Sequence, residues 1–459
     1  MNADPILGTL EHFEDLTIGT IFLVLAVATL GPTLQASQGL LSFVGLIGLT
    51  IVFCEAWLAR LSPRARRGGI AQLLPIVCIG VQAALLLSDS LAAAAEPAAR
   101  VVFAFSIAGA GVAAAFCFVL ERRNDRWLFL VASVCVAAAG ACIIQGLRVP
   151  RIDVLLFQRE SVAALSHGVS PYTVRFVDPY TAVESARFYG RGVSVNGVLP
   201  FGYPYMPLTL LFASLGQLLG DVRYASLGAI IVASGLIAGA RPSRFSTVAG
   251  LLLLLTPAMP TMIYYAWNES YALLLIAVVW FTHCRAPRTM PVAAGLPFAS
   301  KQYFVVVVPL MLLLIEQPWS IRALWRFGWR AAAAASSVTL PFVIWEPRAF
   351  MDSVVWLQFR QPFRHDALSY LVWLNPQHPE RFLALPFLLS GLSSAYVLWR
   401  SRERTVSFPH ALALCVLPFF AFDKQAFLSY HFLILGCLAG AIAAQPPTTA
   451  DSGQGTSGA

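Results

Sequence analysis

Apolar runs long enough to form membrane-spanning helices recur along the whole chain. A helix needs about 20 predominantly apolar residues to cross the hydrocarbon core of a bilayer. Five runs precede the first long polar segment, near residues 18–36, 39–59, 70–88, 101–120 and 127–147. Later runs lie near residues 222–240, 246–265, 269–283, 331–346, 382–399, 406–422 and 427–444. The pattern predicts an all-α polytopic membrane protein with about 13–14 transmembrane helices.

Shorter apolar segments interrupt this regular pattern at two places. Residues 205–219 end at Gly220 and Asp221, just before the run at 222–240. We predict a re-entrant or slanted helix at 205–219, which must be covered by protein or by a water-filled cavity. Residues 289–299 and 302–316 predict a short helical hairpin with Lys301 at its tip.

The distribution of polar residues predicts four parts of the chain. Residues 1–147 form an N-terminal transmembrane module of about five spans. Residues 148–204 form an extracytoplasmic loop with an interfacial helix, and residues 205–444 form a C-terminal transmembrane module. Residues 445–459 are rich in Gly, Ser, Thr and Pro, which predicts a disordered tail.

Composition supports this class of protein. Hydrophobic residues make up 58% of the 459 positions and charged residues 12%, whereas a soluble domain has about a quarter charged residues. The net charge of +8 comes from arginine clusters between spans, so it sets orientation and does not indicate nucleic-acid binding. If these clusters are cytoplasmic, both termini are cytoplasmic and the loop 148–204 lies outside. We predict a multi-pass plasma membrane protein.

The same topology places the remaining polar clusters on the extracytoplasmic face. Only two of the 31 basic residues are lysines, Lys301 and Lys424, and each is followed by glutamine. A chain that otherwise uses arginine has kept a compact, deprotonatable or phosphate-facing charge at these positions. The other clusters on this face are Asp153, 203–207, Asn268 with Glu269, 360–366, and Tyr430 with His431.

Asp153 opens the polar loop, and two interpretations of it remain open. Apolar residues at helical spacing predict an amphipathic interfacial helix over 153–166. At the start of that helix Asp153 can act as a cap. Alternatively, a carboxylate at the membrane boundary can act as a general base that deprotonates an incoming hydroxyl group.

The loop and the start of the next helix resemble a known enzyme family. The motifs are Asp153, GVSPY at 168–172, and YPYMPL at 203–208, followed by WNES at 267–270 and SKQY at 300–303. This arrangement resembles the integral-membrane glycosyltransferases of the GT-C superfamily, most closely the actinobacterial polyprenyl-phosphate-mannose-dependent mannosyltransferases. The sequence departs from that family in its additional N-terminal spans, an interrupted proline pair and the lack of a second, adjacent Asp.

The resemblance implies an enzyme, a hexosyltransferase whose active site is extracytoplasmic. It would move a sugar, mannose in the best match, from a polyprenyl-phosphate donor to a lipid-linked or cell-envelope glycan acceptor, within the membrane lipid. Asp153 is the expected catalytic base, and a single carboxylate implies inversion of the anomeric configuration. No metal ligand is predicted, no cofactor is certain, and the need for a divalent cation is left open.

The other site residues are predicted in two groups. Cations on the outer face are expected to bind the donor phosphate, and they are Lys301, Lys424, Arg360, Arg364 and His365. Polar and aromatic residues are expected to bind the substrates, and they are Gln158, Tyr172, Tyr203, Asn268, Glu269, Gln302, Tyr430 and His431.

Plainer structural roles remain open for several of these residues. Lys301 could extend its ammonium group toward the interface, and residues 358–366 could be a solvated basic loop. Glu269 could cap the helix over 269–283, and Tyr430 with His431 could belong to an interfacial belt.

Two other classes of function compete with the enzyme. A transporter or flippase of lipid-linked intermediates would suit the broken helices at 205–220 and 289–302, because discontinuous helices build substrate sites. Such a protein should also have internal repeats and charges near span centres, but the sequence has few such charges and no convincing repeat. A scaffold for envelope assembly would leave Asp153 and the lysines freely replaceable.

Overall fold

A computed structural model describes residues 70–119, 125–374, 378–402 and 407–444 of the chain. The predicted spans at 18–36 and 39–59 and the predicted disordered tail at 445–459 lie outside the described residues. Statements below about structure concern the described residues.

The described part of the chain consists of helices and connecting loops, with one two-stranded antiparallel sheet, Phe176–Val177 with Val198–Leu199. The α-helices before residue 200 are Ile70–Leu87, Ser90–Ala94, Pro97–Val119, Asp125–Gly146, Asp153–Ser166 and Ala182–Phe188. Those after it are Pro207–Gln217, Arg223–Ala240, Arg244–Leu254, Met259–Tyr264, Glu269–Arg285, Met290–Gly295, Ile321–Trp345, Pro347–Phe350, Leu357–Arg360, Leu371–Leu374, Leu385–Arg400, Phe408–Ala421 and Leu428–Ala443. Leu296–Ala299, Gln302–Leu314 and Pro379–Phe382 are 3₁₀ helices, and Met351–Trp356 is a π-helix.

Five helical segments are long and apolar enough to cross a membrane, judged by length and composition. They are Val77–Ala94, Pro97–Cys117, Arg126–Gly146, Arg223–Ala240 and Ile321–Trp345. This agrees with the predicted all-α class and is compatible with a polytopic membrane protein. The total of about 13–14 spans, the orientation and the type of membrane stay predictions.

Two predicted spans differ in their bounds from the helices observed. The run at 246–265 is split into Arg244–Leu254 and Met259–Tyr264, because Pro257 lacks a backbone N–H and disfavours helix at the residue before it. The span predicted at 331–346 starts ten residues earlier, in the helix Ile321–Trp345. The Ser320 hydroxyl accepts the Ala323 N–H at 3.1 Å, so the basic segment after it is helix rather than connector.

The described residues divide into two compact units, and each unit is built from segments that are separated in the sequence. The first contains the described residues up to Gly146, together with Ile231–Pro260 and residues 434–444. The second contains Leu147–Ile230 and Thr261–Leu433. The division into modules at 147, 204 and 444 stays a prediction, and these units cut the C-terminal part differently because packing joins segments distant in sequence.

Small residues allow close helix packing in the first unit. A Cβ on Gly146 would lie 2.6 Å from Ala99 Cβ, and one on Gly109 would lie 3.3 Å from Cys135 Sγ. Small side chains at helix interfaces let backbones approach closely, as is common in membrane helices. Gln82 is fully buried, and its amide donates to the Leu252 carbonyl at 3.1 Å.

The loop after Gly146 is a folded part of the second unit. The Thr181 hydroxyl and the Glu184 carboxylate form a reciprocal capping box at the start of Ala182–Phe188. Aromatic side chains fill the core of the loop: the Phe157 and Phe176 ring centroids are 4.6 Å apart, and those of Tyr172 and Phe350 are 4.8 Å apart. The loop is therefore a packed structure and not a solvated connector.

Gly202 lies where two parts of this loop are in backbone contact. A Cβ there would lie 2.0 Å from the Tyr172 carbonyl oxygen, and the Gly202 N–H donates to Ser353 Oγ at 2.9 Å. We expect Gly202→Ala to destabilise the protein by about 1–3 kcal/mol, because backbone atoms must move to admit the methyl group. Gly228→Ala is the matched control, since its added Cβ meets nothing within 4 Å. Thermal unfolding in detergent should show a lowered Tm for Gly202→Ala only; equal Tm values would contradict the close contact.

Candidate active site

The second unit contains a cavity of about 200 Å³ that brings together most of the chemically useful side chains of this unit. Its lining comes from the start of Asp153–Ser166, the loop at 180–205, the turn at 267–269, Lys301 and two late loops. The polar and aromatic lining residues include Asp153, Tyr180, Tyr189, Tyr205, Trp267, Asn268, Glu269, Lys301, Gln358, Gln361, Arg364, Gln425, Phe427 and Tyr430.

Asp153 is the first residue of its helix and presents its carboxylate to the cavity wall. One oxygen accepts a hydrogen bond from the Tyr189 hydroxyl at 2.6 Å, and the other accepts the Val154 N–H at 2.8 Å. The Asp153 N–H donates to the Tyr180 hydroxyl oxygen at 3.3 Å. The N-cap residue itself is Ile152, so Asp153 is not the capping residue of this helix.

The two tyrosines keep their protons and thereby stay hydrogen-bond donors. Burial, followed by the negative charge of Asp153, raises the pKa of Tyr189 far above its ordinary value. The same causes in the same order raise the pKa of Tyr180. A neutral phenol that donates to Asp153 fixes the direction of the carboxylate without cancelling its charge.

Lys301 and Glu269 form a buried ion pair at the cavity. Lys301 Nζ lies 2.7 Å from Glu269 Oε1, and the side chains are only 6% and 3% exposed. The lysine stands at the break between the 3₁₀ helices Leu296–Ala299 and Gln302–Leu314, and the glutamate is the first residue of Glu269–Arg285. A negatively charged side chain at a helix N-terminus interacts favourably with the helix dipole.

Aromatic rings surround the ammonium group of Lys301. Its Nζ lies 4.7 Å from the centroid of the Tyr205 ring, 5.8 Å from that of Tyr430 and 5.9 Å from that of Tyr303. Cation–π contacts of this kind are worth more when the cation is desolvated. The side chain therefore stays ordered inside the cavity rather than extending away from it.

Asn268 offers an unused donor to the cavity. Its Oδ1 accepts the Gln158 amide at 2.8 Å, whereas its buried Nδ2 has no partner among the described residues. The Gln158 amide also donates to the Ala266 carbonyl at 2.6 Å, and Ala266 has a φ of 54°, in the left-handed region. Gln158 does not line the cavity. It holds the strained turn that presents Asn268, so a direct substrate contact predicted for Gln158 is not seen.

Arg364 lines the cavity but its charge is balanced by Asp366. Two hydrogen bonds of 2.8 Å join the guanidinium to the carboxylate, and the guanidinium carbon lies 3.9 Å from the Phe188 ring centroid. Burial alone would raise the pKa of Asp366, but the hydrogen bonds and charge of Arg364 hold it below its ordinary value. Arg364 therefore lines the cavity, as its predicted role as a phosphate ligand requires, but Asp366 neutralises its charge.

Lys424 does not line the cavity, contrary to its predicted role as a phosphate ligand. Its Nζ donates to the carbonyl of Gln358 at 2.5 Å and to that of Gln361 at 3.0 Å. Burial lowers the pKa of Lys424, while Asp423 opposes this shift. Because both glutamines line the cavity, Lys424 positions the wall by capping the helix Leu357–Arg360.

Replacing this lysine should loosen one wall of the cavity. We expect Lys424→Met to lower stability by about 2 kcal/mol and to increase hydrogen exchange over residues 358–366, because two carbonyls lose a charged donor. Arg360→Met is the control, since Arg360 pairs with Asp352 at 2.9 Å on the surface and both side chains are more than 60% exposed. Unchanged hydrogen exchange over residues 358–366 in Lys424→Met would show that the Lys424 hydrogen bonds do not stabilise this segment.

Six other predicted residues also lie outside the lining. Arg360 is exposed in its pair with Asp352, and His365 is exposed with its ring against Phe363. Gln302 donates to the carbonyls of Pro204 and Val354 at 3.2 and 3.0 Å. The direct contact with a substrate that was predicted for these three residues is therefore not seen in the cavity. The first two side chains point to solvent, and the third is used to hold the turn at 204.

The remaining three predicted residues outside the lining form hydrogen bonds within the same unit, and they are Tyr172, Tyr203 and His431. The Tyr172 hydroxyl donates to the Tyr205 carbonyl at 3.1 Å, and the Tyr203 hydroxyl lies 2.9 Å from Thr209 Oγ1. His431 Nδ1 lies 3.0 Å from the carbonyl of Phe427. Among the predicted residues, the structure thus brings together Asp153, Asn268, Glu269, Lys301, Arg364 and Tyr430.

Sequence reasoning missed the partners of Asp153. Tyr180 and Tyr189 follow it by 27 and 36 residues, and no motif or spacing connects them to it. The sequence contains one signal of this kind. Large aromatic residues are frequent in the loop, whereas a solvated loop consists mostly of small and polar turn residues. Such residues in a polar segment indicate a folded core and therefore a structured site.

No group of three or more His, Cys, Asp and Glu side chains in the described ranges could hold a metal ion. Two other carboxylates of the loop, Asp178 and Glu184, form local hydrogen bonds. Asp178 accepts from Ser185 at 2.5 Å and from the Tyr180 N–H at 3.0 Å, and Glu184 completes the capping box.

Comparisons of this chain with protein-family models, with curated proteins and with solved structures find no match.

Proposed function

We propose that the chain is an inverting, membrane-embedded glycosyltransferase that takes its sugar from a polyprenyl-phosphate donor. The observation that supports this best is the single cavity in which Asp153, the Lys301–Glu269 pair and Arg364 meet among aromatic walls. A base and a buried cation in one cavity are what such a transfer requires, because a proton must leave the acceptor while a phosphate departs.

In the proposed reaction Asp153 is the general base. The acceptor hydroxyl gives its proton to the carboxylate while its oxygen forms a bond to the anomeric carbon of the donor. The bond between that carbon and the phosphate oxygen breaks, and polyprenyl phosphate leaves with the bonding electrons. Tyr189 keeps the carboxylate in one direction through its 2.6 Å hydrogen bond. With one carboxylate in this role, the configuration at the anomeric carbon inverts.

Lys301 is the proposed partner of the departing phosphate. An ammonium group has three donors, and the pair with Glu269 uses one oxygen of that carboxylate. The remaining donors can serve a phosphate oxygen in the cavity. Low exposure strengthens this attraction, because water does not screen it.

The dimensions and lining of the cavity favour one sugar unit. A volume of about 200 Å³ is below the roughly 300–1,000 Å³ typical of pockets for drug-sized ligands. Tyr205, Trp267 and Tyr430 provide apolar faces, and the unpaired Asn268 Nδ2 provides a hydrogen-bond donor for a hydroxyl. Mannose remains the first candidate, since it is the sugar of the family that the sequence resembles.

The proposed reaction takes place on the extracytoplasmic side of the membrane. The arginine clusters at 60–67, 121–126, 241–244 and 400–404 orient the chain so that the loop after residue 147 lies outside. The acceptor is therefore a glycolipid or glycan of the cell envelope.

The test uses purified protein in liposomes with polyprenyl-phosphate mannose labelled in the sugar, together with membrane glycolipids as acceptor. We expect label to move from the donor to a more polar glycolipid, with release of polyprenyl phosphate. Polyprenyl-phosphate glucose replaces the mannose donor in a parallel reaction to define the sugar. Complete recovery of both intact donors in the presence of folded protein would overturn the proposal.

One observation favours the competing transporter. Lys301 stands at a break between two short helical segments, and discontinuous helices form the substrate sites of many transporters. In the same liposomes a transporter would move the intact labelled donor from one leaflet to the other. Leaflet exchange without cleavage would favour transport over transfer.

A further inference from the structure

A second hollow in the same unit lies apart from the candidate active site. It measures about 490 Å³ and lies between the helices Asp153–Ser166 and Pro207–Gln217. Arg159, Val162 and Ser166 line one side, and Ser214 and Leu218 line the other. It shares no lining residue with the cavity around Asp153. We call it the Arg159 groove.

The two helices present matching chemistry along the groove. Arg159, Val162 and Ser166 are three and four residues apart, so they stand on one face of their helix. Ser214 and Leu218 share a face of the opposite helix for the same reason. The groove therefore combines one cation and two hydroxyl groups with apolar walls.

Arg159 adds a positive charge near the Asp221–Arg223 ion pair, and its chain neighbour Glu160 does not line the groove. Burial alone would raise the pKa of Asp221, but hydrogen bonds of 3.0 and 2.9 Å from Arg223, together with the charges of Arg223 and Arg159, hold it below its ordinary value. Arg159 is the charged residue that lines the groove. Arg159 itself is exposed, so it is accessible to an anion from outside the protein.

An apolar stripe continues from the groove along Pro207–Gln217 and just beyond it. Leu211, Leu215 and Leu218 follow one another at helical spacing and are 37%, 59% and 82% exposed. Contact of such a stripe with water is unfavourable in proportion to its apolar area. An occupant with an anionic head and a hydrocarbon chain matches both the charge and the stripe.

We propose that the Arg159 groove binds one anionic membrane phospholipid, with its phosphate at Arg159 and an acyl chain along the leucine stripe. The proposal depends on the membrane setting of the chain but not on sugar transfer. The bound lipid is not the donor, because a reacting donor must place its phosphate in the cavity with Lys301. The lipid instead fixes the helix Asp153–Ser166 at the interface, about 1.7 helical turns from Asp153.

The test is lipid retention by the full-length protein, measured by native mass spectrometry. Protein is purified in detergent with added phosphatidylglycerol or with added phosphatidylcholine. We expect one bound phosphatidylglycerol on the wild type and about tenfold less on Arg159→Gln, because the charged contact is lost. Ser214→Trp fills the groove and should remove the lipid as well. Arg175→Gln, an exposed arginine elsewhere in the unit, should retain it.

Three results would overturn the proposal. The first is equal retention of phosphatidylglycerol by Arg159→Gln, Ser214→Trp and Arg175→Gln. The second is equal retention of phosphatidylcholine and phosphatidylglycerol by the wild type, since a cation should discriminate between them. The third is displacement of the lipid by millimolar glycerol phosphate, which would indicate a site for free phosphate. Sugar transfer is measured separately and has no bearing on these outcomes.

Discussion

Replacement of Asp153 by asparagine should lower the rate of sugar transfer by about 10²–10⁴-fold, the range found when a general base is removed. Asparagine keeps the size of the side chain and can still pair with Tyr189 and the Val154 N–H. The loss should therefore appear in kcat with little change in Tm. Initial rates with labelled donor in liposomes, together with thermal unfolding, measure both effects.

Glu184→Gln is the matched control for this variant. It makes the same change from carboxylate to amide in the same loop, but Glu184 lies in the surface capping box and outside the cavity. We expect it to retain the rate of the wild type. Transfer by Asp153→Asn at a rate close to that of Glu184→Gln would remove Asp153 from the mechanism.

Replacement of Lys301 by methionine should reduce both stability and transfer. Glu269 is 3% exposed and would be left as an unpaired buried charge, which costs about 3–5 kcal/mol. If Lys301 binds the departing phosphate as proposed, its loss should lower kcat by about 10²–10³-fold, as removal of a transition-state donor does in other enzymes. Unfolding in detergent and initial transfer rates measure the two effects.

A double variant separates the structural part of this effect from the chemical part. Lys301→Met combined with Glu269→Gln removes both charges, and replacing a whole buried pair is often neutral for stability. We expect the double variant to recover most of the lost Tm while its transfer stays low. Recovery of transfer together with Tm would mean that Lys301 serves the fold and not the phosphate.

The sequence was sufficient to identify several parts of the candidate site. Asp153, Glu269 and Lys301 are far apart in the chain, yet placing unexplained polar clusters on one face of the membrane predicted that they meet. The structure brings them to one cavity. This worked because few charges occur in so apolar a chain, so each retained charge near a span end is informative.

Partner choice among neighbouring side chains could not be predicted. Lys424 and Lys301 have the same sequence context, each followed by glutamine, but one binds backbone carbonyls and the other pairs with a carboxylate. Arg364 is balanced by Asp366 only two residues later, whereas Arg360 pairs on the surface. Such choices depend on the path of loops 358–366 and 423–427, which hydropathy does not determine.

Helix boundaries show a similar limit. Hydropathy placed the apolar run at 246–265 in one span, but the prolines in it split the helix. Hydropathy also predicts a start at 331 for the helix that begins at Ile321, because its first turns are basic although Ser320 caps them. Local chemistry at caps and prolines therefore corrects a reading based on apolar length alone.

A structure of the full-length protein in a lipid nanodisc with a phosphonate analogue of the polyprenyl-phosphate sugar tests the central claim most directly. The analogue replaces the scissile oxygen with carbon and so stays intact. We expect a phosphonate oxygen at hydrogen-bond distance, about 3 Å, from Lys301 Nζ, and the anomeric carbon on the side of the cavity that holds Asp153. A phosphonate bound outside this cavity, with Lys301 and Asp153 untouched, would contradict it.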